Sequence, residues 1–233
     1  MSPDHPEVAQ SLHVLAKFYG RDDRSASLYK RAIAIEEKAL GRNHLKVAES
    51  LKTLAEFYYR QGVHAGYDEP KAQSQYALAE PLFKRALTIE ENAWGPTHPR
   101  LAPTLTNLAD TYDSQLRYTL AEPLFKRVVA IYEHRDNREM GMELSSVLSR
   151  LASLYSAQGQ YAKAESFYTR ALKVQVRQLE AKNVTSRHPY IVSAVRGLLA
   201  VYGLTKQDAK EKALRQWADS IGIYRRILES EYY

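Results

Sequence analysis

There is no cysteine anywhere in the 233 residues. Disulfide scaffolds and thiol chemistry are therefore excluded, and a reducing compartment fits. No apolar run approaches the roughly 18 residues that a membrane-spanning helix needs. No secretory leader pattern is visible either. The expected location is cytoplasmic. Patterned sequence begins almost at the first residue, which suggests a domain excised from a larger protein.

Catalytic signatures are missing too. The chain has no Gly-x-Gly-x-x-Gly, no phosphate loop and no His-Glu-x-x-His. Its seven histidines share no ligand spacing with acids, so neither a metal nor a cofactor is expected. Ser27-Leu-Tyr-Lys30 matches a Ser-x-x-Lys pattern but lacks the Ser-Asp-Asn and Lys-Thr-Gly partners of that chemistry. An enzyme is not expected. Asn183-Val-Thr185 is a glycosylation sequon, of consequence only in a secreted chain.

What is present is repetition. Tyr76-Ala-Leu-Ala-Glu-Pro-Leu-Phe-Lys-Arg85 returns as Tyr118-Thr-Leu-Ala-Glu-Pro-Leu-Phe-Lys-Arg127. Weaker copies end at Arg31, Arg170 and Arg226, so the phase arginines stand 54, 42, 43 and 56 residues apart. A second phrase precedes each copy: Leu12, Leu15, Ala16 and Tyr19; then Leu51, Leu54, Ala55 and Tyr58. It recurs as Leu105, Leu108, Ala109 and Tyr112, then Leu148, Leu151, Ala152 and Tyr155. The last copy is looser, with Val195, Leu198, Leu199 and Tyr202. Apolar residues three and four apart form one helical stripe, so each unit reads as two amphipathic helices. The alanine is a slot for close helix approach. Most of the 17 tyrosines fall at repeat positions and are read as packing groups.

These phrases resemble the tetratricopeptide repeat, and more narrowly the repeat of roughly 42 residues found in kinesin light chains and many bacterial proteins. Leu105-Thr-Asn-Leu-Ala109, Ala121-Glu-Pro-Leu-Phe-Lys-Arg127 and Gly95-Pro-Thr-His-Pro99 carry the likeness. The resemblance implies an all-α fold: an α-solenoid of about five antiparallel helix-turn-helix repeats, wound into a right-handed superhelix with a concave groove. The expected layout is one domain over 1–233, with repeats near 5–41, 44–95, 98–134, 141–180 and 188–230. The excess spacing in the second repeat is assigned to an insertion at 63–75, where Gly66 and Pro70 suggest a loop, either on a binding face or a tolerated surface loop. His5, His98 and His188, each followed by proline, read as helix-start residues. Gly41 and Gly95 read as left-handed helix caps. Pro81 and Pro123 are assigned to first helical turns. The last helix is expected from Asp208 to Glu229, with Trp217 and Ile221 in repeat positions.

The functional expectation is a non-enzymatic scaffold binding a protein or peptide; the alternative is a regulatory or sensor segment of a larger multidomain signalling protein. Function on such a fold resides in grafted side chains. Resemblance implies that kinesin light chains carry an Asn-Asn pair between the two leucines, and only Asn107 matches it here. Lys17, Lys52, Arg150 and Arg196 replace that ladder, which points to an acidic or carboxylate-terminated peptide. Glu56 and Asp110 make the same face mixed in sign. The net charge of +6 and pI near 9.3 agree with an acidic partner. The basic residues are dispersed, and no recognition motif speaks for nucleic acid. No membrane partner is expected. The oligomeric state stays open, because an uncapped stack end exposes apolar surface.

Overall fold

The computed structural model describes residues 5–20, 22–66, 68–133, 140–182 and 189–220. Ten α-helices run through them, with no strand among the described residues. In order they are α1 (Pro6–Tyr19), α2 (Asp23–Leu40), α3 (Leu45–His64), α4 (Glu69–Trp94) and α5 (Ala102–Ser114). Then come α6 (Tyr118–Glu133), α7 (Gly141–Ala157), α8 (Tyr161–Lys182), α9 (Pro189–Leu204) and α10 (Asp208–Ser220). The expected end of the last helix, Ile221 included, lies outside the described residues, as does His188. The chain divides into two compact units, 1–124 and 125–233, and the division falls inside α6.

Each unit is built from the same hairpin. In the first, α1 packs on α2, α2 on α3, α3 on α4 and α4 on α5. In the second, α7 packs on α8, α8 on α9, and α9 on both α7 and α10. The repeated phrases explain why. Ala16, Ala55, Ala109 and Ala152 are fully buried on the first helices. Ala79, Ala121 and Ala164, with Ser25 in the first hairpin, are fully buried on the second. Only residues this small let two helix backbones come together. Ser25 uses the closeness: its Oγ donates to the Ala16 carbonyl at 2.9 Å. Leu54, Leu108, Leu151 and Leu198 are all buried at equivalent places, each contributing about 1.5–3 kcal/mol by leaving water. On α1 the equivalent Leu15 is 42% exposed, and Phe18 is 84% exposed.

Helix starts follow the sequence closely. His5 and His98 sit at N-caps and accept through Nδ1 from the N–H of Glu7 (3.3 Å) and Arg100 (3.2 Å). His44 does the same for Lys46 at 3.1 Å, without a following proline. The imidazole therefore does the work usually given to Ser or Asp. The glycines that end the preceding helices differ from expectation. Gly41 has φ 91° and ψ 151°, and Gly95 has φ 84° and ψ 161°. This is not the left-handed helical region but one open essentially to glycine alone. From it the chain turns directly into the histidine cap, with His44 N–H donating to the Gly41 carbonyl at 3.2 Å.

The insertion is not a loop. Residues 61–64 continue α3, a short turn at 65–66 contains Gly66, and α4 begins at Glu69. Asp68 caps the new helix by accepting from the N–H of Lys71 at 3.1 Å, and Pro70 occupies its first turn, where no N–H is missed. Both helices are thus longer than their sisters: α4 has 26 residues against 16 in α6. One consequence corrects the proline reading. Pro81 lies in the interior of α4 rather than in a first turn, and Pro123 is likewise interior to α6.

The added turns pack because Gly62 has no side chain. A Cβ there would lie 2.5–2.9 Å from the Tyr76 ring. A Cβ at Gly197 would meet the Tyr168 ring in the same way. Gly62→Ala is expected to lower stability by about 1–3 kcal/mol in urea unfolding, and Tyr76→Leu in the same chain should recover part of it. Asp22, at the N-cap of α2, accepts from the Arg24 side chain and N–H, which hold its carboxyl down to about 2. Its folded value lies below its unfolded one, so the cap is at full strength above the ordinary value of 3.8 and is lost as pH falls towards 2. A carboxyl NMR titration should place the Asp22 midpoint near 2.

Candidate functional site

The first helices carry the residues expected to meet a ligand, and three of these stand in the first unit. Lys52 does not face outward. Its Nζ donates to Glu90 Oε1 at 2.6 Å, and Glu90 is 1% exposed. Thr104 Oγ1 donates to the other oxygen, also at 2.6 Å. Asn107 is likewise turned to a neighbouring hairpin: its Nδ2 donates to Glu56 Oε1 at 3.1 Å. Lys17 alone of the three lies exposed on a cavity wall, and no hydrogen bond or ion pair holds its ammonium among the described residues. Arg150 on α7 and Arg196 on α9 are exposed in the second unit, and each interacts with other groups of the protein.

The buried glutamate is a repeated feature that the sequence reading missed. Glu36 stands five residues after Arg31, as Glu90 does after Arg85. It is 3% exposed; His13 Nε2 lies 3.5 Å from its Oε1 and 2.9 Å from Ser50 Oγ. So His13, Glu36 and Ser50 occupy the places of Lys52, Glu90 and Thr104. One helix supplies a nitrogen, the next a carboxylate, and the third a hydroxyl. In the second unit this position holds the buried Gln175; among the described residues neither its amide atoms nor Ser149 Oγ, in the nitrogen's place, has a hydrogen-bond partner. The phase arginine has a joint of its own. Arg85 Nη2 binds Glu37 Oε1 at 2.5 Å, and Arg170 pairs with Glu133 at the matching place.

A third polar joint lies near the turns. Glu80 accepts from Lys84 (2.5 Å), Arg117 (2.6 Å) and the Tyr112 hydroxyl (3.2 Å). Burial pushes its carboxyl up, and the bonds from Lys84 and Arg117 outweigh that, leaving it below the usual carboxylate range. In the second unit Glu165 takes the same position, held low chiefly by its hydrogen bond from Lys210 at 2.7 Å. These groups are spoken for and offer a ligand little.

The open geometry is between α1 and α3. A cavity of about 490 Å³ is lined by Gln10, His13, Lys17, Tyr29, Glu49 and Arg60, among others. A second, of about 330 Å³, is lined by Lys17, Gly20, Tyr29, Phe57, Arg60, Gln61 and His64. They share Lys17, Tyr29 and Arg60, and so form one cleft. Tyr29 makes the floor, its ring 6.1 Å from that of Phe57 and 5.6 Å from that of His13. Burial raises the Tyr29 hydroxyl's pKa; Arg60 pulls it back and Glu56 pushes it further. Arg60 and Glu56 therefore both act on the cleft floor. Sequence reasoning overlooked Arg60, which stands just beyond the repeated tyrosine phrase.

Three models, each described as Tetratricopeptide repeat, match residues 8–45, 71–134 and 147–181, more than half the chain between them. The chain belongs to the tetratricopeptide-repeat family. Among solved structures, a kinesin light chain TPR-like repeat protein of Podosopora anserina is similar at 24% identity and a TM-score of 0.71. The alignment covers 95% of this chain and 97% of that one. BtubC (BKLC) of P. vanneervenii is similar at 24% identity and a TM-score of 0.63, covering 79% of this chain and 68% of that one. Aspartyl phosphate phosphatase F of Bacillus subtilis matches at 16% identity and a TM-score of 0.69, over 93% of this chain and 52% of its own. No curated protein matches.

Tetratricopeptide repeats are in general non-enzymatic protein-binding scaffolds, and this chain has the all-α repeat fold that such scaffolds use. Among the described residues, no group of three or more His, Asp or Glu is placed to hold a metal ion. No described helix is long and apolar enough to cross a membrane. The tetratricopeptide joints set a clear expectation for mutagenesis. Lys52→Met strands the Glu90 charge and should cost about 3 kcal/mol, the low end for a broken buried pair because Lys52 is 24% exposed. Lys52→Met with Glu90→Leu should recover most of that. Chemical denaturation of the single and double variants measures both.

Proposed function

We propose that this chain is a non-enzymatic interaction module, and that the cleft between α1 and α3 takes an extended peptide segment bearing acidic side chains. One observation carries the reading: Lys17 and Arg60 share the cleft wall and neither has an ion-pair or hydrogen-bond partner among the described residues. Neighbouring cations on first helices are consumed internally, Lys52 by Glu90 and Lys46 by Glu49. A carboxylate from a ligand would complete what Lys17 and Arg60 lack, and a guanidinium can grip it through two parallel bonds. Glu49 and Glu56 at the same cleft reject uniformly acidic chains and favour segments of mixed sequence, since like charges across an interface weaken binding. Arg150 and Arg196 serve the second unit's first-helix surface. Asn107 belongs to this reading through Glu56, whose carboxylate it fixes.

A second reading, a regulatory segment of a larger signalling protein, is favoured by the likeness to aspartyl phosphate phosphatase F, of which this chain matches 52%. Both readings use the same cleft.

The test is a fluorescence-anisotropy titration with a labelled peptide of spaced Asp and Glu residues. Lys17→Glu with Arg60→Glu is expected to weaken binding at least about tenfold, or about 1.4 kcal/mol, with the circular dichroism spectrum unchanged. Affinity should also fall as salt rises. Equal binding by the charge-reversed chain, or by a basic peptide, would overturn the proposal.

A further inference from the structure

We infer that the joint between the first hairpin and α3 is a proton latch: His13 and Glu36 together hold one proton while the hairpin is seated, and the hairpin loosens as pH rises and that proton leaves. The inference touches the peptide-binding reading above only in its consequence, because the walls of the cleft lie on either side of this joint.

The two buried-carboxylate joints of the first unit follow one plan with different nitrogens. At the second, Lys52 serves one oxygen of Glu90 and Thr104 the other, both at 2.6 Å. At the first, the nitrogen belongs to His13, and histidine is the side chain whose charge ordinarily changes between about pH 5 and 8. Glu36 is 3% exposed, and its Oε2 has no hydrogen-bond partner among the described residues. Its Oε1 lies 3.5 Å from His13 Nε2, which also meets the buried Ser50 Oγ at 2.9 Å. The ring thus stands among three helices, on α1 itself and against Glu36 of α2 and Ser50 of α3. With both ring nitrogens protonated, Nε2–H donates into the joint and the imidazolium offsets the carboxylate. Loss of the Nε2 proton turns a lone pair towards Glu36; loss of the Nδ1 proton removes the charge. Either way a buried carboxylate is left without its cation, which is unfavourable in a dry site. A proton resting on Glu36 instead gives the same linkage, since the pair still holds one.

The other ionisable groups around the ring do not supply that charge. Lys17 of α1, Tyr29 of α2, and Lys46, Glu49, Glu56 and Arg60 of α3 line the cavity beside it. Lys46 pairs with Glu49 at 2.9 Å, and Glu56 accepts from Asn107 at 3.1 Å. Burial raises the Tyr29 hydroxyl, which therefore stays neutral. No hydrogen bond or ion pair joins Lys17 or Arg60 to Glu36 among the described residues. The capping histidines work in the opposite sense. His5, His44 and His98 accept through Nδ1 from helix N–H groups, so protonation removes those caps.

The sign follows from where the proton is held. Seating brings the carboxylate to the ring, so the seated hairpin binds the proton more tightly than the unseated one. Seating is strongest on the acid side of neutrality and weakens as pH rises, by at most about tenfold in its equilibrium per pH unit for one proton. Lys17 and Tyr29 stand on the hairpin's side of the cleft and Arg60 on that of α3. A ligand spanning them meets the complete cleft only while the joint is closed.

Native-state hydrogen exchange tests the latch with no ligand present, because it reads the opening of one part of a fold against another. Mid-helix amides of α1 and α2 are followed at about pH 5.5 and about pH 8, each as a ratio to those of α7 and α8, which cancels the intrinsic effect of pH. In the native chain the ratio is expected to rise about tenfold. His13→Lys copies the Lys52 joint and should keep the ratio flat, or reverse its slope as the capping histidines act alone. Glu36→Gln should flatten it as well, and decides the matter if the lysine variant does not fold. A ratio that does not change with pH in the native chain, or that rises as steeply in a folded variant, overturns the latch. Failure of the acidic peptide to bind at both pH values ends the cleft reading, while the exchange ratios still decide the latch.

Discussion

In the first four hairpins the two helices meet where neither carries a side chain larger than that of alanine or serine; the last differs, with Leu199 in the alanine's place. Everything else in the fold follows from that closeness. The fully buried alanines of the first helices set the distance, and the leucines beside them fill the volume that remains. Gly62 and Gly197 extend the rule to its limit, since tyrosine rings lie where a Cβ would be. The large side chains are placed by the small ones. A core packed this tightly tolerates little change in volume on either side.

Against that apolar framework, polar groups mark the joints between hairpins. A carboxylate with almost no exposure is costly to desolvate, and its partners must compensate. In the first unit Glu90 has a lysine and a hydroxyl, and Glu36 a histidine that Ser50 in turn contacts. In the second unit glutamine takes the place and the charge disappears. In α4 and α8 the arginine that sets the repeat phase pairs with a glutamate of an earlier second helix, Glu37 of α2 and Glu133 of α6. These contacts fix how one hairpin sits on the next, a role for which oil-like packing alone is poorly suited.

The apolar half of this architecture was legible in the sequence, because leucine, alanine and tyrosine recur at helical spacing and nothing competes with that signal. The caps at His5 and His98 were legible through their position before proline, whereas His44, which leucine follows, was not. The polar half was not. Lys52 looks like a surface cation until Glu90 is brought to it from another helix, 38 positions away. Asn107 looks like a ligand-holding amide until Glu56 faces it. The insertion was misjudged for a local reason: Gly66 and Pro70 are breakers in isolation, yet Asp68-Glu69-Pro70 is itself a helix start. The start signal prevailed over the loop signal, because Gly62 gave the added turns somewhere to pack. Arg60 escaped notice since the repeat phrase ends before it.

The longer α3–α4 hairpin has a consequence for how an extended chain could settle on the protein. A strictly periodic array offers the same handholds at every step, so a partner could slide by whole repeats among near-degenerate positions. One aberrant hairpin removes that translational ambiguity. On the peptide-binding proposal, it is the fixed mark from which a ligand's alignment would be counted.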